Sequence, residues 1–184
     1  MALTQSTGTT QKLAALLLLL GAIALLAGAL GFQHIGGYVP CKLCLAQREP
    51  HYAMIPFSLA LLFAAWRQWP ATLIRITFLA LAAVILYGAG IGVYQAGAEW
   101  DFWLGPNDCG GGVAITESAT DLLAQINKTK IVSCNTASWR MFGLSFAGWN
   151  VVASSILAVI ALIGALAPAL YADRLLEKVI KKNA

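Results

Sequence analysis

The sequence predicts an all-α membrane protein: a four-helix transmembrane bundle with two cysteine-bearing loops on the outer side, the second holding a short interfacial helix. Three observations carry this. The 184-residue chain is 59% hydrophobic and 11% charged, more apolar surface than one small soluble core can hide. Four apolar stretches, placed at 13–32, 46–66, 74–96 and 149–170, match the roughly 20 residues that a helix needs to cross a hydrocarbon core. All four cysteines, Cys41, Cys44, Cys109 and Cys134, fall between those stretches, in segments 33–45 and 97–148 that alternate crossings put on one face. Residues 1–184 are therefore expected to form a single transmembrane domain.

In chain order, Met1 to Lys12 is a polar tail rich in Thr and Gln, too short to fold alone and expected in the cytoplasm. The first apolar run follows Lys12 and contains Ala27-Gly28-Ala29, small residues that would also suit a signal-cleavage site. Its length favours a span, and its removal would leave the following loop on the same side of the membrane. Gly36, Gly37 and Pro40 break the first helix and deliver Cys41 to the second. The run from Tyr52 to Trp66 is short, but reaches spanning length if its helix begins near Leu43, with kinks at Pro50 and Pro56. Arg67-Gln68-Trp69-Pro70-Ala71-Thr72 reads as a tight turn between helices two and three.

Charge sets the orientation. The proposed inner side carries seven basic residues (Lys12, Arg67, Arg75, Arg174, Lys178, Lys181 and Lys182) against five outside (Lys42, Arg48, Lys128, Lys130 and Arg140). A basic excess marks the cytoplasmic side, so both termini are expected there. Leu175, Leu176, Val179 and Ile180 are spaced as in a surface-lying helix end, with a frayed charged tail as the alternative. An even set of cysteines on the opposite face implies an oxidising compartment, which for a bacterial inner membrane is the periplasm.

The second outer segment has several parts. Glu99-Trp100-Asp101-Phe102-Trp103 mixes aromatics with acids and suits the headgroup boundary. Gly105-Pro106-Asn107-Asp108-Cys109-Gly110-Gly111-Gly112 surrounds one sulfur with turn formers, so Cys109 is expected to be exposed and mobile. Thr116 to Ile126 could form a short helix, with Ser118 as N-cap and Asp121 three residues later, or remain a loose loop. Cys134 precedes Trp139, Arg140, Met141 and Phe142, an expected amphipathic return into the last helix.

Chemistry concentrates in Cys41-Lys42-Leu43-Cys44-Leu45-Ala46-Gln47-Arg48. In a helix from about Leu43, Cys44 and Arg48 are i,i+4 neighbours and Cys41 lies at the helix mouth, so two sulfurs and a cation share a face. A thiol there is expected to have a lowered pKa, because the helix dipole and the guanidinium both favour the thiolate, the species that attacks disulfides. Cys-x-x-Cys also occurs in metal sites and structural bridges. A soft-metal protein could use the four cysteines and His51, but no acid, histidine or cysteine within the spans marks an ion path. A tetraspanin-like structural protein would not need paired cysteines beside an arginine in its small first loop. His34 and His51 read as ordinary interface residues, and no metal site or nucleic-acid partner is expected.

The arrangement resembles the disulfide bond formation protein B (DsbB) family. The likeness rests on Cys41-Lys42-Leu43-Cys44 with Gln47-Arg48, on Cys109 and Cys134 in the second loop, on four spans in this order, and on Glu99-Trp100, Gly105-Pro106, Trp139-Arg140 and Gly143-Leu144-Ser145. It implies an inner-membrane enzyme with two redox disulfides, Cys41–Cys44 and Cys109–Cys134, that reoxidises a periplasmic thioredoxin-like (DsbA-like) dithiol oxidase. Cys109 would be attacked by the partner's thiolate, Cys134 released, and a Cys41–Cys134 bridge would link the pairs. Cys44 would then pass electrons to a membrane quinone, ubiquinone or menaquinone, with Arg48 binding it. In some relatives a histidine follows the tyrosine at the end of helix three; here Tyr94 is followed by Gln95, so any role of that imidazole is lost or passed to an amide.

Overall fold

A computed structural model of the chain describes residues 7–106, 130–131 and 134–168. Four long helices dominate it: α1 Thr9–His34, α2 Lys42–Trp66, α3 Ala71–Glu99 and α4 Phe146–Leu166. Each covers one expected span and outruns it at its N-terminal end. Local capping accounts for two of these early starts. Gln11 turns back to accept the backbone N–H of Gly8 at 2.8 Å, the returning half of a capping box that starts α1. Cys41 is the N-cap of α2: its carbonyl accepts the N–H of Leu45 at 3.1 Å and its sulfur accepts that of Cys44 at 3.4 Å.

The helix ends are equally local. Beyond α2, Gln68 adopts a left-handed φ of 56° and Trp69 donates to the Ala64 carbonyl at 3.0 Å, so the expected tight turn closes as a Schellman-type cap. Beyond α3, Asp101 has φ 59° and Phe102 donates to Gly97 at 3.0 Å in the same way. Pro50 and Pro56 lie inside an uninterrupted α2.

Four two-residue strands complete the described structure. β1 (Tyr38–Val39) pairs in parallel with β2 (Lys130–Ile131), and β3 (Arg140–Met141) pairs antiparallel with β4 (Leu144–Ser145). The return into α4 is therefore a hairpin rather than an amphipathic helix. Its two turn residues, Phe142 and Gly143, have φ of 51° and 83°, the left-handed pair that matches strand twist in a two-residue turn. The segment at 116–126, Cys109 and the tail beyond 168 lie outside the described residues.

Three of the helices, α1, α3 and α4, are long and apolar enough to cross a membrane. Helix α2 is not among them, because Glu49, Pro50, His51 and Pro56 dilute its apolar run. Large apolar side chains such as Leu20, Leu59, Phe63, Ile76, Val93 and Ile156 stand exposed, as lipid-facing positions require.

The contacts fall into two compact units, 1–23 with 51–86 and 154–184, and 24–50 with 87–153. The first buries Leu18, Met54, Ile74, Phe78, Ile85 and Ala161. Its buried polar groups serve helix ends: Arg75 donates to the Ala165 carbonyl at 2.6 Å, and Gln11 donates to Gly164 at 3.3 Å and Ala167 at 3.1 Å. These carbonyls close the end of α4, where helix geometry leaves acceptors unsatisfied and the dipole favours a cation. The second unit buries Cys41, Cys134, Ala89 and Ala147 together with Gln47, Gln95 and Glu99.

Candidate functional site

Because Cys41 caps α2, the x-x spacing puts Cys44 at the third helical position, where its N–H points at the capping sulfur. The two sulfurs are thereby 3.2 Å apart and hydrogen-bonded. A disulfide brings sulfurs to about 2.05 Å, so the structure holds this pair as two thiols. Cys41 is fully buried and Cys44 partly exposed. Cys134 is also fully buried.

Around Cys44 runs a chain of amides. Asn150 on α4 donates to Gln47 Oε1 at 2.8 Å, Gln47 Nε2 donates to Gln95 Oε1 at 2.7 Å, and Gln95 Nε2 donates to Glu99 Oε1 at 3.1 Å. Gln95 straddles the sulfur, its Nε2 at 3.5 Å and its Oε1 at 3.8 Å from Cys44 Sγ. Polar side chains so placed on apolar helices have to satisfy one another. Gln95 and Glu99 do so one turn apart on α3. Beyond them, Arg140 donates to the Glu99 backbone carbonyl at 2.9 Å and its guanidinium lies 5.4 Å from the Trp100 ring centre.

The expected lowered thiol pKa does not hold for Cys44, which precedes the span expected at 46–66. Its thiol is pushed well above the usual range, first by the hydrogen bond with Cys41, then by burial, then by repulsion from charge on Cys41; Gln95 acts in the opposite sense. The physical reason is visible in the partners. The helix-mouth N–H is aimed at Cys41 Sγ rather than at Cys44. Arg48 donates instead to Gln33 Oε1 at 2.5 Å and to the Ala29 carbonyl at 3.3 Å, both from α1.

Of the residues singled out from sequence, Cys41 and Cys44 come together, Arg48 lies one turn on but faces α1, and Cys109 falls outside the described residues. Gln47, Asn150 and the carboxylate of Glu99 were not anticipated as site residues. The available signal was their polarity: amides and acids within long apolar helices face protein or a cavity, not lipid.

An aromatic cluster lies in the same unit. Phe32 meets Phe146 edge-on at 4.7 Å, Trp139 stacks on Phe146 at 4.8 Å, and Tyr38 sits 6.0 Å from Phe146. Phe32 is adjacent in sequence to Gln33, the partner of Arg48. A guanidinium offers five N–H groups in a planar fork, and two are committed among the described residues. The fork can therefore still donate to a carbonyl oxygen, and aromatic faces can take a flat apolar ring. That donor set fits a quinone.

The family model for Disulfide bond formation protein DsbB matches residues 11–164. A disulfide bond formation protein B from Methylococcus capsulatus is 35% identical over 138 residues, covering 70% of this chain and 78% of that protein. One from Aromatoleum aromaticum is 28% identical over 162 residues, covering 79% and 89%, and one from Stutzerimonas stutzeri is 30% identical over 152 residues, covering 78% and 87%. No solved structure matches the chain.

Proposed function

Since the chain belongs to the DsbB family of membrane disulfide bond formation proteins, we propose that it oxidises the dithiol of a periplasmic, thioredoxin-like (DsbA-like) partner and delivers the electrons to a membrane quinone. The observation that most supports this is the Cys41–Cys44 thiol pair at 3.2 Å, held at a helix mouth inside a buried amide network. Two thiols so close can interconvert with a disulfide by small side-chain rotations.

In this reading the four helices pack as a transmembrane bundle in the bacterial inner membrane, with both termini cytoplasmic and the loops at 33–45 and 97–148 periplasmic. The partner's thiolate attacks Cys109, forming a mixed disulfide and releasing Cys134 as thiolate. The partner's second thiolate displaces Cys109, leaving the partner oxidised and Cys109 and Cys134 reduced. Cys134 then attacks the Cys41–Cys44 disulfide at Cys41, Cys109 resolves the resulting Cys41–Cys134 bridge, and the loop disulfide is restored while Cys41 and Cys44 become thiols. Two electrons and two protons leave that thiol pair per cycle.

A bound quinone, ubiquinone or menaquinone, supplies the two-electron acceptor. Arg48 would hold its carbonyl oxygen and stabilise negative charge there. Gln95 contacts the sulfur of Cys44 and can serve it in either protonation state, donating N–H to a thiolate or accepting from a thiol. The raised affinity of Cys44 for its proton keeps the pair protonated until electrons are drawn off.

The direct test follows quinone absorbance in membranes containing the protein after addition of a reduced thioredoxin-like oxidase. One quinone reduced per partner disulfide formed is expected. Partner oxidation without quinone reduction, or no oxidation by any reduced partner of this class, would overturn the assignment.

A further inference from the structure

With Cys41 and Cys44 taken as the redox pair, we infer that Glu99 is a positioning residue for it: the carboxylate fixes which end of the Gln95 amide is presented to Cys44. A chain made only of amides can reverse. Turn Asn150, Gln47 and Gln95 together and every donor still meets an acceptor, with the opposite end of Gln95 facing each neighbour. An ionised carboxylate cannot take part in that reversal, because it only accepts. Glu99 Oε1 accepts from Gln95 Nε2 at 3.1 Å, which commits Gln95 Oε1 to Gln47 at 2.7 Å. The Gln95 N–H end is thereby the nearer one to the sulfur, 3.5 Å against 3.8 Å for the carbonyl end.

The surroundings argue that the carboxylate is placed for this purpose and not for stability. Gln95 is 1% and Glu99 7% exposed, so water does not compete for either. The second carboxylate oxygen, Glu99 Oε2, is buried without a hydrogen-bond partner among the described residues. A buried acceptor left open is costly, and a glutamine or leucine would avoid the cost. Arg140 reaches only the backbone carbonyl of Glu99 at 2.9 Å, so it anchors the end of α3 without neutralising the side chain directly. An N–H held toward the sulfur favours a thiolate at Cys44, in line with the direction in which Gln95 acts on that thiol.

The test reads alkylation of Cys44 by iodoacetamide at fixed pH in the reduced, full-length protein, with the modified cysteine identified by mass spectrometry. It needs neither partner nor quinone, so its result is separate from that of the quinone assay. Glu99→Gln frees the amide to turn and is expected to slow Cys44 alkylation about tenfold, the size of one hydrogen bond to a charged group. Gln95→Leu should slow it similarly, and the double variant no further, because both changes remove the same N–H from the sulfur. Loosened packing or simple removal of negative charge would each speed the reaction. A faster or unchanged rate in Glu99→Gln, or full additivity in the double variant, therefore overturns the inference. If Glu99→Gln does not fold, Glu99→Asp decides: it keeps the charge but shortens the reach, and an unslowed rate sinks the idea.

Discussion

The two compact units both bury polar side chains within apolar helices, but use them differently. In the unit built from 1–23, 51–86 and 154–184, Arg75 and Gln11 donate to backbone carbonyls at the end of α4. Those bonds satisfy acceptors that helix geometry leaves open, and the groups are architectural. In the unit built from 24–50 and 87–153, Asn150, Gln47, Gln95 and Glu99 bond to one another and to the sulfur of Cys44. None of those bonds closes a helix end. Polar groups that serve the backbone hold a fold, whereas polar groups that serve each other around a reactive atom mark where chemistry occurs.

The largest expected effect lies at that reactive atom. Cys44→Ser should abolish quinone reduction while leaving Cys109 and Cys134 able to exchange with a partner thiol, since it removes one sulfur of the inner pair and leaves the loop pair intact. Turnover and mixed-disulfide formation, measured on the same preparation, separate the two steps. Full steady-state turnover by this variant would remove the chemical distinction between the two units.

An arginine in each unit sharpens the contrast. Arg48 donates to a side chain and one carbonyl of α1, with N–H groups to spare for a ligand, whereas Arg75 is fully buried on the Ala165 carbonyl. Arg48→Ala should raise the apparent KM for quinone by about tenfold or more, and Arg48→Lys less, because lysine keeps the charge but not the planar fork. Partner affinity should hardly change. Arg75→Ala should leave both kinetic constants near wild type and cost about 1–3 kcal/mol of stability, since a buried carbonyl loses its donor. An Arg48→Ala variant with intact quinone kinetics but poor membrane yield would make Arg48 an anchor like its counterpart.

How much of this was legible depended on the range of each interaction. The helices at 13–32, 46–66, 74–96 and 149–170 could be read because long apolar runs leave the backbone few alternatives. The thiol pair was legible because three residues separate Cys41 from Cys44 and a helix start fixes their geometry. The hairpin at 140–145 was missed: Arg140 to Phe142 reads as amphipathic, and the turn depends on left-handed φ at Phe142, a residue type that seldom supplies it. The Gln47–Asn150 bond joins residues 103 positions apart, and no local pattern announces such a pair. Glu99 was assigned to the headgroup boundary with Trp100 and Asp101, although Gln95 one turn earlier hinted at a shared buried face. Arg48 and Cys44 have the expected spacing, yet Gln33 and Ala29 on α1 draw the guanidinium away, a competition visible only once the helices are packed.

The smallest expected effect comes from two glycines at close helix contacts. A Cβ at Gly164 would lie 2.7 Å from Cε1 of the buried Phe78 ring, and one at Gly92 would lie 2.8 Å from Val151 Cγ2 and 3.2 Å from Gln47 Oε1. Neither neighbour moves easily, since a packed ring and a β-branched side chain have few alternative rotamers. Each alanine substitution gains helix propensity and loses packing, for a net cost of about 1–2 kcal/mol. The difference lies in what the displaced atoms do next. Pushing Phe78 disturbs only apolar neighbours and the end of α4, so Gly164→Ala should leave Cys44 alkylation at the wild-type rate. Pushing Gln47 disturbs the amide that holds Gln95 Oε1, so Gly92→Ala should change Cys44 alkylation by about threefold, equivalent to about half a pKa unit. Equal thermal destabilisation with unequal thiol reactivity is the expected pattern; equal thiol rates in the two variants would show that the amide chain does not transmit packing changes to the sulfur.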